Sequence, residues 1–201
     1  MFKSSKKFMP TYILITANII VYIYTSILSG NIVTSDYVIL TYGQDNLAVL
    51  NGEVWRLFTA MFVHADIVHI FGNMFFLLIF GLRAEDMFDV KEYFLIYFLS
   101  GLAGGLLTLL LWPDTLSVGA SGAIFGVLGA TMIYARRAIG QSVITALLYA
   151  FFLLAINTSP GVNIMAHLGG LVAGLLIGYL LAATRKPKAA YTYGYDYSYS
   201  I

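Results

Sequence analysis

The sequence predicts an all-α membrane protein, a bundle of six transmembrane helices with both ends on the cytoplasmic side and a long interfacial first external loop. Three observations carry this. The 201 residues are 60% hydrophobic and only 10% charged, whereas soluble domains carry roughly 25% charge. Apolar runs of about 15 to 20 residues recur between polar breaks, and a bilayer core of ~30 Å needs ~20 helical residues. Of the eleven Lys and Arg, all but Arg56 fall on one side of the membrane when the runs are threaded in order, as the positive-inside bias requires.

Taken in order, the runs are Thr11 to Leu28, Ile67 to Leu82, Tyr93 to Leu111, Ser121 to Ala135, Ser142 to Ile156 and Ile164 to Ala183. The first follows Lys3, Lys6 and Lys7, as a signal peptide would, but its apolar run is too long and lacks a small-residue cleavage site. It reads as a retained helix. Residues 1–10 are then a cytoplasmic N-terminus, 11–183 one six-helix domain, and 184–201 a cytoplasmic tail. The tail, with its alternating tyrosines in YTYGYDYSYSI, reads as disordered, with a docking role as the alternative. Between the first two runs, Ser29 to Ala65 is an external segment holding Trp55-Arg56, a pair suited to the interface, where indole and guanidinium meet both lipid and water.

Composition excludes several chemistries. The absence of cysteine removes disulfides, Cys-ligated zinc and a thiol nucleophile. A net charge of +1 gives no footprint for a nucleic-acid partner. No HExxH occurs, so a metal site of that kind is not expected, and nothing calls for a cofactor. No convincing internal repeat supports a small transporter.

Polar groups inside lipid are costly and point to function. Here they are His69 and Asn73 in the second run, Ser121 at the start of the fourth and His167 near the start of the sixth. The acidic residues stay in loops, as in Arg83-Ala84-Glu85-Asp86. The fourth run reaches only ~22 Å of the core and Arg136-Arg137 pins its inner end, so Ser121 sits ~8 Å below the outer surface. With Asp66 as N-cap of the second helix, His69 lies ~5 Å and Asn73 ~10 Å down, and His167 lies ~5 Å down. All four share one layer. His167, Gly170, Gly174 and Gly178 form a small-residue stripe, and Gly122, Gly126 and Gly129 another beside Ser121, which permits close approach of the two helices.

A serine hydroxyl needs a base within hydrogen-bond reach to become a nucleophile. His167 suits that role, and with no buried acid the pair is a dyad rather than a triad. His69, Asn73 and the Ser121 backbone N–H at a helix N-terminus are candidate donors to an oxyanion. Each residue also has a structural reading. Ser121 would cap its helix, His167 would bond structurally, His69 and Asn73 would join helices, and His64 is read as structural.

These residues resemble the rhomboid intramembrane serine proteases over about Gly52 to Tyr179. The motifs are Trp55-Arg56, His69-Ile70-Phe71-Gly72-Asn73, Gly81-Leu82-Arg83-Ala84-Glu85, Gly119-Ala120-Ser121-Gly122, and Ala166-His167-Leu168-Gly169-Gly170 with Gly174. The resemblance implies Ser121 as nucleophile, His167 as general base and then acid, and His69 and Asn73 in the oxyanion hole. Arg56 and Glu85 match structural positions. It also implies transmembrane protein substrates cut near their outer membrane end, in a prokaryotic cell membrane, with the site opening outward. One departure is Phe125, where well-studied members stack a tyrosine on the histidine; phenylalanine keeps the stacking face and lacks the hydroxyl. Movement of the fifth helix and of Asn157 to Gly161 is expected to admit substrate. The rival is an inactive rhomboid-like binder of transmembrane segments, whose relatives generally lack the serine or histidine.

Overall fold

The computed structural model describes residues 9–138 and 161–184, with the isolated positions 142, 144, 147, 148 and 152. In chain order these form α1 (Pro10–Ser29), α2 (Asp36–Tyr42), β1 (Gln44–Asp45), α3 (Asn46–Leu50), α4 (Arg56–Thr59), α5 (Ile67–Glu85), α6 (Val90–Leu111), β2 (Leu116–Ser117), α7 (Ser121–Ala138) and α8 (Ile164–Thr184). Four of them, α1, α5, α6 and α8, are long and apolar enough to cross a bilayer. Apart from those isolated positions and Gly161, the expected fifth span from Ser142 to Ile156 and its loop lie outside the described residues, as does the tail beyond Thr184.

The helix starts are set by local chemistry. Pro10 opens α1, where its missing N–H costs nothing. Asp66 opens α5 by accepting the His69 N–H at 2.8 Å, as its position before the apolar run predicts. Asp89 and Glu92 form a reciprocal capping box at α6, satisfying two otherwise orphaned donors. Two helix ends run past their expected bounds, because helicity does not stop where apolarity does. α5 continues to Glu85, so this acid closes a helix rather than sitting in a loop. Its Oε1 accepts the Thr11 N–H at 2.9 Å, and Thr11 Oγ1 lies 3.0 Å from Tyr93 Oη, joining α1, α5 and α6 at one end of the bundle. α7 likewise carries Arg136 and Arg137 in its last turn.

α7 occupies the middle. Every residue from Gly122 to Thr131 is buried, so this helix is solvated by protein, not lipid. That explains how it can be rich in small residues and less apolar than the spans around it. Leu77, Ile96, Tyr97, Ala123 and Val127 share one core, and Phe125, Leu128, Leu171 and Leu175 a second. The outside is apolar instead: Ile20, Ile27, Phe71, Leu110, Leu176 and Leu180 are exposed, while Thr11, Asn18, Ser100 and Thr108 are buried. Such an inverted pattern suits a chain whose surroundings are hydrocarbon.

The segment between α1 and α5 is tied to the bundle, as expected of a loop without independent folding. β1 pairs antiparallel with β2, Gln44 opposite Ser117 and Asp45 opposite Leu116. Arg56 corrects the expectation of an interfacial guanidinium. Trp55 is exposed, but Arg56 is buried, with its guanidinium carbon 4.8 Å from the Trp55 ring centroid. It donates to Glu53 Oε2 at 2.7 Å and to the carbonyls of Leu40 at 2.6 Å and Gly43 at 3.1 Å. Those carbonyls lie at the end of α2, and without the cation Leu40 loses a charged donor while Gly43 keeps only the Asp45 N–H at 3.1 Å. Arg56→Ala is therefore expected to cost about 2 kcal/mol, read as a lower midpoint in denaturant titration of the detergent-solubilised chain.

Candidate active site

Helices α5, α6, α7 and α8 border a cleft of about 760 Å³ lined by His69, Asn73, Ser121, Phe125, Asn163 and His167 among others. All four residues expected in one layer thus face one space. Ser121 is the first residue of α7, where the backbone N–H groups have no partner within the helix. Its Oγ lies 2.8 Å from His167 Nε2, so the hydroxyl is turned across the helix interface to the imidazole. His167 is buried, and its Nδ1 has no hydrogen-bond partner among the described residues. The ring is held by a face instead: Phe125, one helical turn after the serine, stacks on it with centroids 4.5 Å apart and planes 25° apart.

The approach of α7 and α8 follows from their glycines. A Cβ on Gly170 would run into the Gly122 carbonyl, and one on Gly174 would lie 2.6 Å from Gly126 Cα. A Cβ on Gly122 would meet the Ala166 carbonyl oxygen at 3.1 Å. The two backbones touch where side chains would hold them apart, which brings short side chains such as serine within reach of the facing helix.

α5 supplies the second wall. His69 packs on the turn ahead of the serine: a Cβ on Gly119 would lie 2.7 Å from His69 Nε2. Gly119 also has φ of +119°, a conformation open to glycine and strained for other residues. Its N–H donates to the Ala60 carbonyl at 2.8 Å, anchoring the turn. Asn73, one turn below His69, donates from Nδ2 to the His69 carbonyl at 2.9 Å, while its buried Oδ1 has no partner among the described residues. An amide nitrogen carries two N–H donors, and this bond uses one of them.

His64 lies in the loop before α5, as the sequence suggests, and its role is one of packing. It is fully buried, its ring sits edge-on to His69 at 5.1 Å, and its backbone carbonyl accepts from Thr34 Oγ1 at 2.7 Å. Burial foremost, and the neighbouring His69 next, push its imidazole down to about 3, so it stays neutral and packs behind His69. Asn163 was missed although it stands directly before an apolar run, the place where a cap is sought. Gln44 gave no local signal. It is buried by the β1–β2 pairing and donates to the Gly105 carbonyl at 2.8 Å.

Comparison with known proteins gives a family. The family model described as Rhomboid domain matches residues 51–184. "RHOMBOID-like protein 6, mitochondrial" of Arabidopsis thaliana is 42% identical over 139 residues, 66% of this chain and 45% of that protein. "Putative rhomboid protease YdcA" of Bacillus subtilis (strain 168) is 36% identical over 151 residues, 71% of this chain and 75% of that protein. "Rhomboid-like protease 3" of Toxoplasma gondii is 31% identical over 170 residues, 80% of this chain and 65% of that protein. The chain spans less than half the length of the first Arabidopsis relatives it matches. Relatives from a plant, a bacterium and a parasite lend the expected prokaryotic membrane no particular support. Apolar helices, a Ser–His contact on a glycine-packed helix pair and a family match across two thirds of its length lead to one conclusion: this integral membrane protein belongs to the rhomboid family.

Proposed function

We propose that this chain is an intramembrane serine endopeptidase that cuts transmembrane protein substrates near the external membrane face, using Ser121 and His167 as a catalytic dyad. The observation that carries the reading is the 2.8 Å contact between Ser121 Oγ and His167 Nε2 inside a cleft large enough for an extended peptide segment. In this mechanism His167 Nε2 takes the hydroxyl proton as Oγ attacks the scissile carbonyl carbon. The carbonyl oxygen becomes an oxyanion, met by the Ser121 backbone N–H, the second N–H of Asn73 and the His69 side chain. His167 then hands its proton to the leaving amine. Water enters and gives a proton to the same nitrogen as its oxygen attacks the acyl carbon; His167 then returns that proton to Ser121 Oγ as the ester bond breaks, freeing the acid and the serine hydroxyl.

The proposed setting is one domain over residues 11–183 with six spans, both ends cytoplasmic, and residues 30–66 lying along the external interface. Exposed Ile32, Val33, Leu47, Leu50 and Trp55 in that segment support its contact with lipid. Among the described residues no carboxylate bonds to His167, which supports a dyad over a triad. Transmembrane segments have their own peptide groups fully bonded, so a substrate must unwind locally before its carbonyl reaches Ser121.

The test is chemical labelling. A fluorophosphonate applied to the full chain in liposomes is expected to modify Ser121, located by peptide mass spectrometry, in step with loss of cleavage of a transmembrane reporter. Binding of such segments with no labelling and no cleavage would shift the assignment to an inactive binder.

A further inference from the structure

Ser121 and His167 stand on the first turns of two different helices. Their contact therefore depends on how far each helix is advanced along its axis as well as on how closely the helices approach. The glycine contacts between α7 and α8 set the separation. Side chains such as Leu128 and Leu171 set the register coarsely, and polar ties at the helix ends can fix it at the scale of a hydrogen bond.

Asn163 makes such ties at both sides of the site. Its Oδ1 accepts the Ala166 N–H at 3.0 Å, which caps the first turn of the helix that carries His167. Its Nδ2 donates to Ser117 Oγ at 2.6 Å. Ser117 lies in β2, four residues ahead of Ser121, in a strand held from behind by Gln44. Thr108 Oγ1 of α6 stands 3.3 Å from the same Asn163 Oδ1. One planar amide, with acceptor and donor fixed relative to each other, thus spans from the helix of the base to the strand that leads into the nucleophile.

We infer that Asn163 is a positioning residue that sets the axial register of α8 against the β2 segment, so that His167 Nε2 meets Ser121 Oγ. This rests on the serine-protease reading. A mere cap would need only the Ala166 contact, and the Ser117 contact would then have no bearing on turnover. That difference makes the two roles separable.

The experiment uses the full chain in liposomes, with active sites titrated by a fluorophosphonate and kcat per titrated site measured alongside KM on a transmembrane reporter. Ser117→Ala leaves the cap on α8 intact and is expected to lower kcat about tenfold with KM nearly unchanged, since small misplacements at a reacting centre cost one to two orders of magnitude. Asn163→Ala should lose at least as much, and the double variant no more than Asn163→Ala alone, because both remove the same tie. Asn163→Asp keeps the cap acceptor and can take the Ser117 hydroxyl as donor, so it should recover most of kcat. Should Asn163→Ala fail to fold, Ser117→Ala and Asn163→Asp still decide. A Ser117→Ala chain with wild-type kcat, or losses that multiply in the double variant, would overturn the positioning role. A wild-type chain that neither titrates nor cleaves removes the serine-protease reading itself, and this inference with it.

Discussion

Ser121→Ala is expected to lower cleavage of a reconstituted transmembrane substrate by about ten-thousand-fold or more, the scale on which serine hydrolases lose activity without their nucleophile. The fold should survive. Among the described residues the deleted atom makes one side-chain hydrogen bond, to His167 Nε2, on the wall of an open cleft, where water can take its place. Alanine is also a better helix former than serine by a few tenths of a kcal/mol. The unfolding temperature should therefore move by no more than about 2 °C. Cleavage assays and thermal unfolding on one preparation separate the two effects. Residual cleavage within tenfold of wild type would refute Ser121 as nucleophile, while a matching drop in unfolding temperature would return it to a structural role.

The parts of this site that could be read from sequence are those whose physics is local. Asp66 before an apolar run is a cap wherever the run packs, and it fixes where His69 and Asn73 stand on α5. The glycines at helical spacing announce a close-packed face without naming its partner. Arg56 shows the limit. A guanidinium beside an exposed tryptophan looks interfacial, but the carbonyls that capture it belong to Leu40 and Gly43, more than ten positions earlier. Glu85 misled for a related reason, because its partner is the backbone of Thr11 and polarity alone marked it as loop. Gln44, His64 and Asn163 take their places from the β1–β2 pairing and the packing of α5 on the turn at Gly119. Long-range backbone partners leave no periodic trace in a single sequence.

Gly174→Ala is the second large effect expected, and it runs against helix propensity. Replacing glycine by alanine inside a helix ordinarily gains about 0.5 to 1 kcal/mol. At Gly174 the added methyl would lie 2.6 Å from Gly126 Cα and equally close to its carbonyl carbon, and backbone atoms have no rotamer by which to yield. The helices must part, as an overpacked core does at a cost of about 1 to 3 kcal/mol. Separation reaches the chemistry directly, because the same helix pair carries Ser121 and His167 two turns away. An opening of about 1 Å at a reacting pair can cost a hundredfold in rate. Cleavage is thus expected to fall by about that factor and the unfolding temperature to drop with it. Gly72→Ala is the matched control: it too is a helical glycine, on α5, but an added Cβ there meets nothing within 4 Å. Its unfolding temperature should hold or rise. Equal responses at the two sites would show that the close contact of α7 and α8 does not govern the stability of the bundle, and unimpaired cleavage by Gly174→Ala would show that the dyad tolerates their separation.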